Sequence, residues 1–111
     1  MNYINFEVGN KTYKLRLNTR NTVLLEKQLG CNPVNIFGDG ETLPTLTAMV
    51  SILHAACQQY NHGISLNDAY DIFDEYLDEH ALTDFIPVIM DIYKVSGIIP
   101  KDRKDNEEKN A

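Results

Sequence analysis

Thr45-Leu46-Thr47-Ala48-Met49-Val50-Ser51-Ile52-Leu53-His54-Ala55-Ala56-Cys57-Gln58-Gln59-Tyr60 is the stretch on which the fold turns. Leu46, Met49, Val50, Leu53, Ala56, Cys57 and Tyr60 recur at three- and four-residue intervals, while Thr47, Ser51, His54 and Gln58 fall along another side. Side chains three and four apart share one face of an α-helix, so the pattern predicts a central helix with a broad apolar face. Such a face must be covered, and the flanking sequence supplies the cover.

Upstream, residues 3–8 alternate Ile4, Phe6 and Val8 with Tyr3, Asn5 and Glu7, and residues 12–17 alternate Tyr13, Leu15 and Leu17 with Thr12, Lys14 and Arg16. A period of two on both sides of Gly9-Asn10, a pair suited to a tight turn, predicts a β-hairpin with one apolar face. A lone hairpin is marginal in water and has to pack on the helices. Asn18 or Thr19 then caps a short helix carrying Val23, Leu24, Leu25 and Leu29, which Gly30 stops. A turn at Asn32-Pro33-Val34-Asn35-Ile36-Phe37 leads into Gly38-Asp39-Gly40-Glu41, a loop whose glycines lack the spacing and the following Lys-Ser/Thr of a phosphate-binding loop.

Downstream, Asn61-His62-Gly63 ends the central helix, and Ser65-Leu66-Asn67-Asp68 has the form of a capping box. The helix it opens runs to about Glu79, with Leu66, Ala69, Tyr70, Phe73, Tyr76 and Leu77 on one face and Asp68, Asp71, Glu75, Asp78 and Glu79 on the other. A last helix begins near Thr83-Asp84, with Pro87 in its first turn, and stops at Gly97. Phe85, Ile86, Val88, Ile89, Met90, Ile92, Tyr93 and Val95 make it apolar nearly all round, and a helix without a polar face is either buried or part of an interface. Ile86, Met90 and Tyr93 are its expected protein-interaction surface. After Ile98-Ile99-Pro100 the chain is polar, with no hydrophobe but the last Ala111, and is expected to be disordered.

These elements define a mainly α (α+β) chain: an N-terminal β-hairpin packed on a bundle of about four helices. With 111 residues, 43% of them hydrophobic, the chain suits a single core. One domain is expected over residues 1–99, followed by the charged tail at 100–111.

The net charge of −6 is unevenly spread. From Asn61 to Tyr93 there are eight acids (Asp68, Asp71, Asp74, Glu75, Asp78, Glu79, Asp84, Asp91) and no Lys or Arg, a surface that repels nucleic acid. Residues 1–40 carry five bases against three acids, and two poles of opposite sign would favour head-to-tail association of copies. No apolar run approaches the roughly 18 residues of a membrane span, and the first residues lack a signal-peptide profile. No membrane association is expected, and the protein is expected to stay in the cytoplasm where it is made. There Cys31 and Cys57 stay reduced.

The usual chemical signatures fail one by one. Asp71-Ile72-Phe73-Asp74-Glu75 lacks the alternating ligands and central glycine of a calcium loop. His54 and Cys57 offer two of the four ligands a closed zinc site needs, and His62 and His80 follow no ligand spacing. Cys57 falls on the apolar face, where burial leaves a thiol inert, and the paired carboxylates sit on a solvated face. No catalytic, cofactor-binding or metal residues are therefore expected, and the reading is a protein that works by binding other proteins.

Tyr13-Lys14-Leu15-Arg16-Leu17, Leu24-Leu25-Glu26-Lys27-Gln28-Leu29-Gly30, Asn32-Pro33-Val34-Asn35-Ile36-Phe37, Ile52-Leu53-His54-Ala55-Ala56, Tyr60-Asn61-His62-Gly63-Ile64 and Val95-Ser96-Gly97-Ile98-Ile99-Pro100, taken in this order, resemble tail assembly chaperones of siphophages and prophages of Gram-positive bacteria. The resemblance covers residues 3 to 100 and rests on order and spacing of packing and capping residues. It implies a protein that binds the tape measure protein, keeps it soluble, promotes assembly of tail tube protein around it, self-associates, and is absent from the mature virion. It also implies a longer form made by ribosomal frameshifting, with the junction near Lys101. Two rival readings remain: an acidic decoy that inhibits a nucleic-acid-binding protein, and a small structural component of the tail.

Overall fold

Helix α2 (Leu46–Cys57) opens where the Thr45 hydroxyl accepts the Ala48 N–H at 3.1 Å. In the computed structural model, which describes residues 2–38 and 43–101, it is buried on nearly every side. Ala48, Met49, Val50, Ser51, Ile52, Leu53, Ala55, Ala56 and Cys57 are all covered, His54 is half-buried, and Leu46 and Thr47 are open. Burial is thus wider than the single apolar face expected, because strands and helices close on the helix from several directions. Small side chains make the close approach possible: at Ala56 the backbone carbonyl accepts the Arg16 N–H at 3.0 Å, joining the hairpin's exit to the helix.

The hairpin forms as its alternation predicts. Strands β1 (Ile4–Val8) and β2 (Lys11–Leu15) pair antiparallel with Ile4 opposite Leu15, Phe6 opposite Tyr13 and Val8 opposite Lys11. Gly9 has φ +61° and Asn10 is not in positive φ, the type II′ pattern that suits the twist of a two-residue hairpin. Phe6, Val8, Leu15 and Leu17 enter the core.

Helix α1 (Thr19–Leu29) starts at Asn18, whose side chain accepts the Asn21 N–H at 2.8 Å, and closes at Gly30, whose N–H donates to Glu26 O. It touches the body through a narrow stripe. Leu25 is buried and Leu29 half-buried, but Val23 and Leu24, turned by about 100° or more from Leu25, face outward. A 3-10 turn (Pro33–Phe37) then leads toward residues 39–42, so the loop expected at Gly38–Glu41 lies mostly outside the described residues.

Helix α3 (Leu66–Tyr76) has the expected capping box: the Ser65 hydroxyl accepts the Asp68 N–H at 3.0 Å, and Asp68 Oδ2 accepts the Ser65 N–H at 2.9 Å. Its helical run stops at Tyr76, short of Glu79, and its buried face is Ala69, Ile72, Phe73 and Tyr76. Helix α4 (Phe85–Val95) follows a 3-10 turn at Leu82–Asp84, with Pro87 at its third residue, where no intrahelical N–H partner is needed. Phe6, Phe73, Tyr76 and Phe85 form one aromatic cluster with ring centroids 5.0–5.9 Å apart, locking β1, α3 and α4 together.

At its end α4 makes a Schellman closure. Ile98 N–H donates to Tyr93 O at 2.9 Å and Gly97 N–H to Lys94 O at 3.1 Å, which turns Ile98 and Ile99 back onto the core. The Ser96 hydroxyl accepts the Leu17 N–H at 2.8 Å and so ties the last helix to the hairpin's exit. The tail expected at 100–111 lies, from residue 102 onward, outside the described residues. No helix among the described residues is long and apolar enough to cross a membrane.

Replacing Gly9 with Ala imposes positive φ on an L-residue and sets its Cβ against Glu75 Oε2. Equilibrium urea unfolding should show a loss of about 1–2 kcal/mol with an unchanged m-value. In a Glu75→Ala background the same substitution should still cost the backbone part.

Candidate functional site

Of the three residues expected to face a partner from α4, the structure removes one. Tyr93 is fully buried, its hydroxyl donating to Pro33 O at 2.9 Å, and burial pushes its phenol well above the usual tyrosine range. It belongs to the core, where its hydroxyl anchors the 3-10 turn under α4. The physical reason is that α4 buries one stripe, Phe85, Ile89, Ile92 and Tyr93, and carries the rest of its apolar surface on the flanks. Ile86 and Met90 lie on such a flank and are half-buried, so each shows part of its side chain to solvent.

The more open apolar surface lies elsewhere. Between the C-terminal half of α1, the Pro33–Phe37 turn and the start of α2 runs a groove of about 330 Å³. Leu29, Ile36, Leu43 and Ala48 line it together with Gln28 and Thr47, and among the described residues no Asp, Glu, Lys or Arg does. Leu43 and Leu46 are 55% and 50% exposed, and Leu24 on α1 is 51% exposed. Helical spacing puts Leu46 on the apolar face of the central helix, and Leu24 is one of the apolar residues of α1. Both stand at margins that no neighbouring element among the described residues covers, which spacing alone does not reveal.

A second open surface is the outer side of α3. Leu66, Tyr70 and Leu77 are 39%, 49% and 37% exposed, contrary to the expected apolar face. Ile72, left off that face in the sequence reading, points inward and rotates the helix so that Tyr70 faces out. All eight acids between Asn61 and Tyr93 are exposed. Their separation from the positive N-terminal segment is not a separation in space. Lys11 of β2 shares a crease with Asp68, Asp71 and Glu75 of α3, so part of the negative face meets the hairpin within one molecule. That weakens the electrostatic case for head-to-tail stacking.

Cys57 is buried, and desolvation pushes its thiol up to about 12, while His54 Nδ1 is buried without a hydrogen-bond partner among the described residues. His54 Nδ1 therefore makes no hydrogen bond to the Cys57 thiol. Among the described residues no group of three or more His, Cys, Asp or Glu is placed to hold a metal ion. Arg16 reaches Gln59 Oε1 through Nη1 at 3.4 Å, which sets a cation beside the carbonyl end of α2.

The chain is thus a small α+β fold with a closed core and a hairpin cover that leaves several apolar side chains open on its outer helices. The chain belongs to a family of unknown function, DUF6096, which matches residues 4–111. No curated protein and no solved structure matches it.

Two measurements check this geometry. With Ellman's reagent at pH 8 the native protein should yield one reactive thiol, Cys31, and two after unfolding, because Cys57 has almost no thiolate while buried. Tyr93→Phe leaves Pro33 O without its buried donor and should lower unfolding stability by about 1–3 kcal/mol by urea titration.

Proposed function

We propose that this chain is a non-catalytic tail assembly chaperone of the siphophage type its residues 3–100 resemble, acting in the bacterial cytoplasm and left out of the mature virion. The observation that carries the reading is the apolar groove between α1 and α2, with Leu43 and Leu46 open beside it on a chain whose core is already complete. An apolar stripe of a long tape measure helix is the complementary shape, since amphipathic helices seat themselves in such grooves. Each buried leucine contributes on the order of 1.5–3 kcal/mol, so a few contacts give a complex that is stable yet reversible. Reversibility suits a chaperone that must yield to tail tube protein. Half-buried Ile86 and Met90 extend the available apolar surface and serve contacts between copies of the chain. A frameshifted longer form would continue from near Lys101.

The exposure of all eight acids favours a second reading, an acidic decoy occupying a nucleic-acid-binding protein. Co-expression separates the two. The chaperone reading expects the tape measure protein to become soluble and to co-purify with the chain, and Leu43→Asp with Leu46→Asp to abolish this while circular dichroism stays native. Recovery of a nuclease or polymerase in place of the tape measure protein would establish the decoy, and detection of the chain in purified virions by mass spectrometry would make it a structural component.

A further inference from the structure

Leu66, Tyr70 and Leu77 are spaced i, i+4 and i+11, which at 100° per residue places them within about 40° of one another around the axis of α3. Leu77 lies just past the last helical residue but keeps helical geometry, its N–H donating to Phe73 O at 3.0 Å. Phe73, at i+7, stands in the same row and is buried against Phe85, so the stripe is fixed at its middle by the core and open on both sides of that point. Asp74 and Asp78 flank its outer edge, both exposed, and no Lys or Arg occurs between Asn61 and Tyr93. The acids nearer the hairpin, Asp68, Asp71 and Glu75, already face Lys11, whereas the crease that holds them includes neither Asp74 nor Asp78.

We infer that the outer stripe of α3 is a docking site for an amphipathic helix that carries Lys or Arg beside its apolar residues. This deepens the protein-binding reading and rests on it. Apolar contact with Leu66, Tyr70 and Leu77 supplies the anchoring, and Asp74 and Asp78 select a basic partner over an acidic one by charge complementarity. A plain phosphate mimic would have no use for three large apolar side chains set among its carboxylates. The site is distinct from the groove beside α2, whose lining shares no residue with it.

The test titrates the isotope-labelled full chain with an 18-residue model helix of Leu and Lys, and in parallel with its Leu–Glu counterpart, following amide shifts. Binding of the Leu–Lys peptide with shifts confined to residues 66–78 is expected, together with at least tenfold weaker binding of the Leu–Glu peptide. Tyr70→Ala with Leu66→Ala, both exposed positions, should weaken binding at least tenfold with every acid intact, and Asp74→Asn with Asp78→Asn should remove most of its salt dependence. Unchanged affinity after the apolar substitutions would reduce the effect to unspecific attraction by a negative protein and overturn the inference. So would shifts centred on Leu29, Ile36 and Ala48. If peptide affinity is unchanged in the Tyr70→Ala, Leu66→Ala variant while the tape measure protein still co-purifies with the chain, the chaperone reading stands and the α3 site alone falls.

Discussion

The enclosure of α2 is the constraint on which the rest of the molecule depends. Nine of its twelve residues are buried, and a helix covered that completely needs partners on all sides at once. The hairpin, α1, α3 and α4 are those partners. Two long-range hydrogen bonds close the shell around it: Leu17 N–H to the Ser96 hydroxyl, and the Tyr93 hydroxyl to Pro33 O. Each satisfies a polar group that the close packing would otherwise strand.

A shell built around a fully occupied centre has a consequence for its own surfaces. Helix α1 rests on Leu25 and part of Leu29, and α3 on Ala69, Ile72, Phe73 and Tyr76, so each needs only a stripe of its surface for the fold. Leu24, Tyr70, Leu66 and Leu77 are surplus to that requirement. Scattered single apolar side chains on a surface are ordinary, but these lie along helices, and with Leu43 they adjoin either an apolar groove or an acidic edge. The division between a core that is finished and outer helices that are not is what supports an assembly role.

Much of the architecture was legible in the sequence because local rules are strong there. Alternation on both sides of Gly9-Asn10 and the Ser65–Asp68 capping box depend on residues within a few positions of one another, and both appear as expected. The errors arose where tertiary context decides. Tyr93 reads as one more apolar residue on an apolar helix, and only the arrival of Pro33, 60 residues away, makes it a core residue with a satisfied hydroxyl. Spacing groups Tyr70 with Phe73 on the apolar face of α3, but Ile72 turns the buried face toward Ala69 and Tyr76 and leaves Tyr70 exposed. The charge asymmetry along the chain was likewise real in sequence and partly undone in space, where Lys11 lies beside Asp68 and Asp71. The surface residues that matter most for binding were the hardest to see, for periodicity reports which residues are apolar and not which neighbour fails to cover them.

Native-state amide hydrogen exchange across a urea series tests the central claim most directly, that a closed core around α2 carries outer helices free to bind. The account predicts that the amides of Ile52, Leu53 and Ala56 exchange only by global unfolding, with its free energy and its urea dependence, and that α1 from Leu24 to Gln28 opens by smaller local fluctuations. Exchange of α2 through local opening, or α1 amides protected as strongly as Ile52, would contradict it.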